Sequence, residues 1–118
     1  MTARDRLIGE LREHALIVGP VVLTSGRTAS YYVDAKRAIL RPAGFAALGE
    51  LVAAYAAEWG ATALGGLTLG ADPVAFAGLA AGARCNAFLI RKEAKSHGLQ
   101  RRIEGILHRT AGRGHRVP

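Results

Sequence analysis

Residues 62–90 read TALGGLTLGADPVAFAGLAAGARCNAFLI, and this stretch decides the fold class. Thr62 to Leu64 is a short apolar strand candidate, and Gly65 to Gly70 forms a glycine-rich turn. Asp72-Pro73 then supplies an N-cap and an N1 proline to a helix over Val74 to Ala81. Cys85 to Ile90 is an apolar run of strand length, so the order is strand, loop, helix, strand. A strand pair joined by a helical crossover runs parallel, with a right-handed connection. The predicted class is α/β. In such sheets ligands collect at the carboxyl ends of the strands. Here those ends are Gly65 to Gly70 and Arg91 onward, so both candidate binding segments fall on one edge.

Working outward toward the N-terminus, Pro42 stands where a helix would begin, and Phe45, Leu48, Leu51, Val52, Tyr55 and Trp59 follow at spacings of three and four until Gly60. This is the clearest amphipathic helix in the chain. Val21-Val22-Leu23 and Ser30-Tyr31-Tyr32-Val33 flank Ser25-Gly26-Arg27, which reads as two strands around a turn. Between Arg4 and Ile17, Leu7, Ile8, Leu11 and Ala15 recur at helical spacing, and Gly19-Pro20 closes that segment.

A composition of 50% apolar and 21% charged residues in 118 is that of an ordinary globular domain and argues against disorder throughout. The single cysteine, Cys85, excludes an intramolecular disulfide and a thiolate metal cluster, and favours a reducing, cytoplasmic home. Charges crowd the first fourteen residues, which do not read as a secretory signal. Asp72-Pro73 and five glycines interrupt the apolar stretch Ala61 to Ala83, so no membrane span is expected.

The net charge of +7 is unevenly placed: residues 1–90 hold 8 Lys/Arg against 7 Asp/Glu, and residues 91–118 hold 8 against 2. A basic segment is a footprint for a polyanion, whether nucleic acid, an acidic membrane or a small phosphorylated substrate. Arg91-Lys92-Glu93-Ala94-Lys95-Ser96-His97-Gly98 follows directly on a buried strand, which projects three permanent cations and an imidazole from a rigid base. Forked Arg donors and compact Lys charges suit phosphoryl oxygens. On composition alone a solvated charged loop stays open as the other reading.

The motif Arg91-Lys92-Glu93-Ala94-Lys95-x-His97-Gly98 resembles the mobile catalytic loop of orotate phosphoribosyltransferases. Ser25-Gly26-Arg27 with Tyr31-Tyr32-Val33-Asp34 resembles the N-terminal segment of that family, and Gly65 to Pro73 resembles the first phosphate-side loop of its actinobacterial-type members. The three segments stand in the family's order and at its spacing. The resemblance implies a partial type I phosphoribosyltransferase domain over residues 1–105, with a parallel sheet flanked by helices and a small N-terminal hood. It implies transfer of ribose 5-phosphate from phosphoribosyl pyrophosphate to orotate, with Mg²⁺ held mainly through the donor, in a homodimer.

Carried over by position, Arg91, Lys92, Lys95 and His97 would contact the pyrophosphate, Lys95 and His97 as catalytic residues, with the loop reaching into the neighbouring subunit's site. Tyr32 falls at an orotate contact, while Val33 departs from the family's aromatic pair. Gly65, Gly66, Thr68 and Gly70 would form the phosphate-side loop, where backbone N–H groups favour anions. Asp72 would oppose a phosphate placed close to it. Thr24 and Leu69-Gly70 stand where many bacterial relatives carry lysine and Tyr-Lys. No residue is expected to ligate a metal directly.

After Gln100-Arg101-Arg102-Ile103-Glu104-Gly105 the resemblance implies an acidic strand such as Val-Val-Val-Glu-Asp and a Thr-Thr-Gly-Gly-Ser loop around the ribose phosphate. The chain instead continues Ile106-Leu107-His108-Arg109-Thr110-Ala111-Gly112-Arg113-Gly114-His115-Arg116-Val117-Pro118. Residues 106–118 are therefore expected to form a disordered basic tail outside the domain, arising from a truncation or a reading-frame change. A genuine short chain is the competing explanation. Without the donor-phosphate loop the 118 residues are expected to be inactive alone and marginally stable. Two further readings stand beside the enzyme: a nucleic-acid binder working through its basic end, and a fragment that pairs with a full-length relative. No aromatic platform for stacking bases accompanies the basic segment.

Translating the coding DNA beyond codon 105 in all three frames is expected to reveal Val-Glu-Asp followed by a Thr-Thr-Gly-Gly-Ser-like loop. If no frame encodes them, the frame-change explanation is wrong.

Overall fold

The computed structural model describes residues 1–93 and 103–105. Lys95, His97 and the expected tail 106–118 lie outside the described residues. The chain divides into two compact units, Met1–Ala47 and Leu48 onward.

In the first unit, helix α1 (Ala3–Glu10) opens on a capping box. Asp5 N–H donates to Thr2 Oγ1 at 3.1 Å, and Thr2 N–H donates to Asp5 Oδ2 at 3.1 Å. The Thr2 backbone donor, followed by the Thr2 side chain, holds the Asp5 carboxyl below its ordinary range. The helix widens into a π-type turn over Leu11–Ala15, and strand β1 (Leu16–Val22) follows at once. The expected helix to Ile17 is thus shorter, and Gly19-Pro20 sits within a strand instead of closing a helix. The physical reason lies in the ladder with β2 (Thr28–Val33), which runs antiparallel. Its register shifts between Val18 and Val21, so that Gly19 at φ 122° and Pro20, which has no N–H, fall at the irregularity.

Ser25-Gly26-Arg27 makes the expected turn: Leu23 N–H donates to Arg27 O at 2.8 Å, and Gly26 takes φ 86°. A short helix that periodicity did not reveal, α2 (Lys36–Ile39), buries Ala38 and Ile39. The Glu10 carboxylate, 16% exposed, accepts from Arg41 Nε at 3.2 Å and lies 3.6 Å from His14 Nε2, which ties α1 to the end of α2.

Helix α3 (Pro42–Glu58) contains the boundary between the units, and Gly60 at φ 63° follows it. The expected core stripe of large residues is only half-buried, and Tyr55 and Trp59 are exposed, with ring centroids 5.4 Å apart. Close packing falls instead on Gly44, Ala47, Gly49 and Ala56. Glycine is required at two of these places: a Cβ on Gly44 would meet Ala38 O, and one on Gly49 would meet Ala77 O, both well inside van der Waals distance.

In the second unit the βαβ expectation holds. Strand β3 (Ala63–Leu67), helix α4 (Asp72–Ala80) and strand β4 (Asn86–Ile90) follow in order, with β3 and β4 parallel. A strand not foreseen, β5 (Ile103–Gly105), pairs antiparallel with β4, giving the sheet order β3-β4-β5. Leu64, 1% exposed, sits in a core with Ala56 and Ala75, and Val52, Ala61 and Ala87 pack around it.

Two details differ from expectation. Gly65, Gly66 and Leu67 belong to the strand, so the turn contracts to residues 68–71. Gly65 pairs with Phe88, and the Phe88 ring occupies the space a Gly65 Cβ would need. Asp72 is the first residue of α4, and Ala71 is the N-cap. The Asp72 carboxylate turns back onto Gly70 N–H at 2.9 Å, so it caps the turn instead of the helix.

Gly65→Ala is expected to lower stability by about 1–3 kcal/mol through overpacking, and Phe88→Leu in the same chain is expected to recover part of that loss. Urea denaturation reads both, and an unchanged midpoint for Gly65→Ala would contradict the close approach.

Candidate functional site

Because β3 and β4 are parallel and Leu67 pairs with Ile90, both strands deliver their next residues to the same edge of the sheet. From β3 comes the turn Thr68 to Ala71, and from β4 comes Arg91-Lys92-Glu93. The two are joined directly. Thr68 N–H donates to Ile90 O at 2.9 Å, and the Thr68 hydroxyl donates to the same carbonyl at 3.3 Å. One residue of the turn therefore places both of its donors on the last residue of β4.

The turn's other bonds are internal as well. Ala71 N–H donates to Leu67 O at 3.0 Å, and Gly70 N–H donates to the Asp72 carboxylate. The Thr68–Leu69 peptide is cis, and the Leu69 side chain stands 86% exposed. A Cβ on Gly66 would collide with Ala71 O, so this glycine lets the turn fold back over the strand end.

Of the four residues expected to form a phosphate-side loop, Gly65 and Gly66 lie in β3, while Thr68 and Gly70 lie in the turn. The N–H groups of Thr68 and Gly70 are already bonded within the chain. An anion recruited here would have to draw Gly70 N–H away from a carboxylate, an exchange that costs a charge-assisted hydrogen bond.

The cationic part of the edge comes from β4. Arg91 is half-buried, and Lys92 and Glu93 are exposed. The Arg91 guanidinium Nη1 lies 3.7 Å from Glu104 Oε1 on β5, with the two side chains 41% and 36% exposed. Sequence reasoning did not single out Glu104. It is one of only 2 acidic residues in the basic stretch 91–118, and that sign inversion is the signal that could have found it.

Tyr32 stands in the first unit, on β2 opposite Ile17, and is 44% exposed. Tyr31 and Val33, its chain neighbours, pair with Val18 and Leu16 and so face the other side of the ribbon. Arg91, Lys92 and the Thr68 turn are brought together in the second unit.

Among the described residues no group of three or more His, Cys, Asp or Glu side chains could hold a metal ion. No helix among them is long and apolar enough to cross a membrane. Partial burial raises the Cys85 thiol above its ordinary pKa, which makes it a poorer nucleophile at neutral pH.

No protein-family model matches the chain. It is 50% identical over 104 residues to an orotate phosphoribosyltransferase of Corynebacterium glutamicum, a match covering 87% of this chain and 56% of the relative. A solved orotate phosphoribosyltransferase of Mycobacterium tuberculosis H37Rv, in complex with Fe(III) dicitrate, matches the fold with a TM-score of 0.75 at 45% identity, over 98% of this chain and 64% of that one. The same enzyme in complex with 5-phospho-alpha-D-ribosyl 1-diphosphate matches with a TM-score of 0.70 at 39% identity, over 98% and 61%. The chain spans somewhat more than half the length of the curated relatives it matches. Over that span it is related in sequence and fold to the orotate phosphoribosyltransferases, and its architecture is part of a type I phosphoribosyltransferase fold.

Thr68→Val removes the hydroxyl that bonds Ile90 O while keeping the side-chain shape. It is expected to cost about 1 kcal/mol of stability and to speed amide exchange in the turn. Thr68→Ser is expected to restore protection, and equal protection in all three proteins would show that the hydroxyl does not anchor the turn.

Proposed function

We propose that this relative of the orotate phosphoribosyltransferases carries part of a site for transferring ribose 5-phosphate from phosphoribosyl pyrophosphate to orotate, giving orotidine 5'-monophosphate and pyrophosphate. The observation that carries the reading is the junction at Ile90, where the Thr68 turn and the start of the Arg91 segment share one carbonyl acceptor. A rigid strand end there presents Arg91 and Lys92 beside a tight turn. The sequence relationship to enzymes of this reaction supports the same reading.

The chemistry asks chiefly for position and charge. As the C1–O bond to the diphosphate lengthens, the leaving group gathers negative charge and the ribose acquires oxocarbenium character. In this reading Arg91, Lys92, Lys95 and His97 neutralise the departing diphosphate, and closure of their loop excludes the water that would otherwise capture the ribosyl cation. Tyr32 contributes an aromatic contact to the pyrimidine. In this reading Mg²⁺ would be held mainly through the donor's own oxygens and would help neutralise the diphosphate. The complete site belongs to a cytoplasmic homodimer.

The 118 residues contain no Thr-Thr-Gly-Gly-Ser segment to cradle the ribose 5-phosphate. As a polypeptide of these residues alone, the protein is therefore expected to bind pyrophosphate without forming orotidine 5'-monophosphate. Calorimetric titration with pyrophosphate should show binding that Arg91→Ala weakens about tenfold or more, as loss of a charge-assisted contact requires. Absence of binding, or binding indifferent to Arg91→Ala, would sink the proposal. Steady consumption of orotate by the isolated chain would sink the expectation of inactivity.

A further inference from the structure

The geometry of the β4–β5 ladder points to a role for Glu104. In that ladder Leu89 pairs with Glu104 and Ile90 with Ile103. Side chains alternate faces along a strand, so Arg91, two residues beyond Leu89, returns to the side on which Glu104 stands. Glu104 is then Arg91's diagonal cross-strand neighbour, a separation long side chains span. The 3.7 Å between Nη1 and Oε1 is the result.

That carboxylate is chemically out of place if the edge exists only to attract anions. Residues 91–118 carry 8 Lys/Arg and 2 Asp/Glu, and one of those two acids faces the first cation after the strand. The backbone of β5 is committed to this arrangement. Gly105 takes φ 108°, and a Cβ there would lie 2.8 Å from Ala87 O, so the chain passes close to β4 just after Glu104.

We propose that Glu104 is the resident counter-ion of Arg91, which a diphosphate group must displace to reach the guanidinium. This rests on the reading of Arg91 as a pyrophosphate contact and adds a residue that sets how tightly that contact holds. Two functions could follow from such a pair: the carboxylate could orient the guanidinium for its ligand, or it could compete with the ligand. Charge decides for competition: a carboxylate 3.7 Å from Nη1 stands where an arriving anion would seek the same guanidinium. The carboxylate also repels an arriving diphosphate by charge alone. Its effect is to loosen the anion, which favours release of pyrophosphate after transfer.

The same arrangement holds in smaller form across the edge, where the Asp72 carboxylate occupies Gly70 N–H. Both elements flanking the edge thus hold an anion of the chain's own at the place where a ligand's oxygens would bind.

The test is a calorimetric titration of the full 118-residue chain with pyrophosphate at low ionic strength, without divalent metal. Glu104→Gln keeps the size and removes the charge, and it is expected to bind about threefold tighter than the parent, the scale of a half-exposed ion pair. Glu104→Asp should stay close to the parent, which guards against a variant that merely fails to fold. In an Arg91→Ala background, Glu104→Gln should change affinity far less. Weaker binding by Glu104→Gln would overturn the proposal in favour of an orienting role. An equal gain with and without Arg91 would overturn it in favour of a general field effect. If the parent binds pyrophosphate and Glu104→Gln is indistinguishable from it, the counter-ion inference alone falls. If the parent does not bind at all, the assignment of Arg91 falls, and the inference goes with it.

Discussion

The Phe88 ring lies across Gly65, and this contact sets the register of β3 against β4. A slip of one residue in one direction would set Leu64 opposite the ring, and a slip in either direction would turn every residue of β3 to the opposite face. With the register held, Leu67 meets Ile90, Thr68 reaches the Ile90 carbonyl with both donors, and Arg91 starts beside the turn. The position of each group at the carboxyl edge follows from this register.

The same economy of space governs the helices. In the second unit a Cβ on Gly49 would strike the Ala77 carbonyl, and one on Gly78 would strike Val52 Cγ1. Close backbone approach between α3 and α4 brings many weak dispersion contacts within range, but it leaves little large apolar surface to bury. Among the described residues Leu64 is the largest fully buried side chain, while Phe76 and Leu79 of α4 remain nearly half exposed. The unit is held by fit more than by the bulk of its core, so small volume changes there carry a high cost.

At the carboxyl edge, carboxylates of the chain stand beside its own donors. Gly70 N–H has the Asp72 carboxylate, and Arg91 has Glu104 within ion-pair distance. Under the proposed function, binding a diphosphate is an exchange of carboxylates for phosphoryl oxygens. Exchange keeps the net gain small, which suits a leaving group that must depart after each turnover.

The sequence by itself determined the class of the fold and the sheet edge that the Thr68 turn and Arg91 share, because apolar runs, a proline at a helix start and the order of strand and helix are local properties. It also carried the family relationship, since the matched motifs are contiguous. It did not separate glycines that bend a chain from glycines that admit a neighbour: Gly65 and Gly66 read as a turn and fold as a strand, because the reason for their small size is a ring and a carbonyl elsewhere in the chain. Gly19-Pro20 read as a terminator and serves as a strand irregularity, because only the partner strand reveals that a missing N–H can be absorbed there. Large residues at helical spacing located α3, yet its packed face runs along glycine and alanine, which periodicity of bulk cannot detect. The pairing of Glu104 with Arg91 became visible only through β5, whose three residues are too few to show a pattern. Tertiary structure decided which charges meet, because an ion pair between strands depends on register, and register is fixed by contacts far apart in the chain.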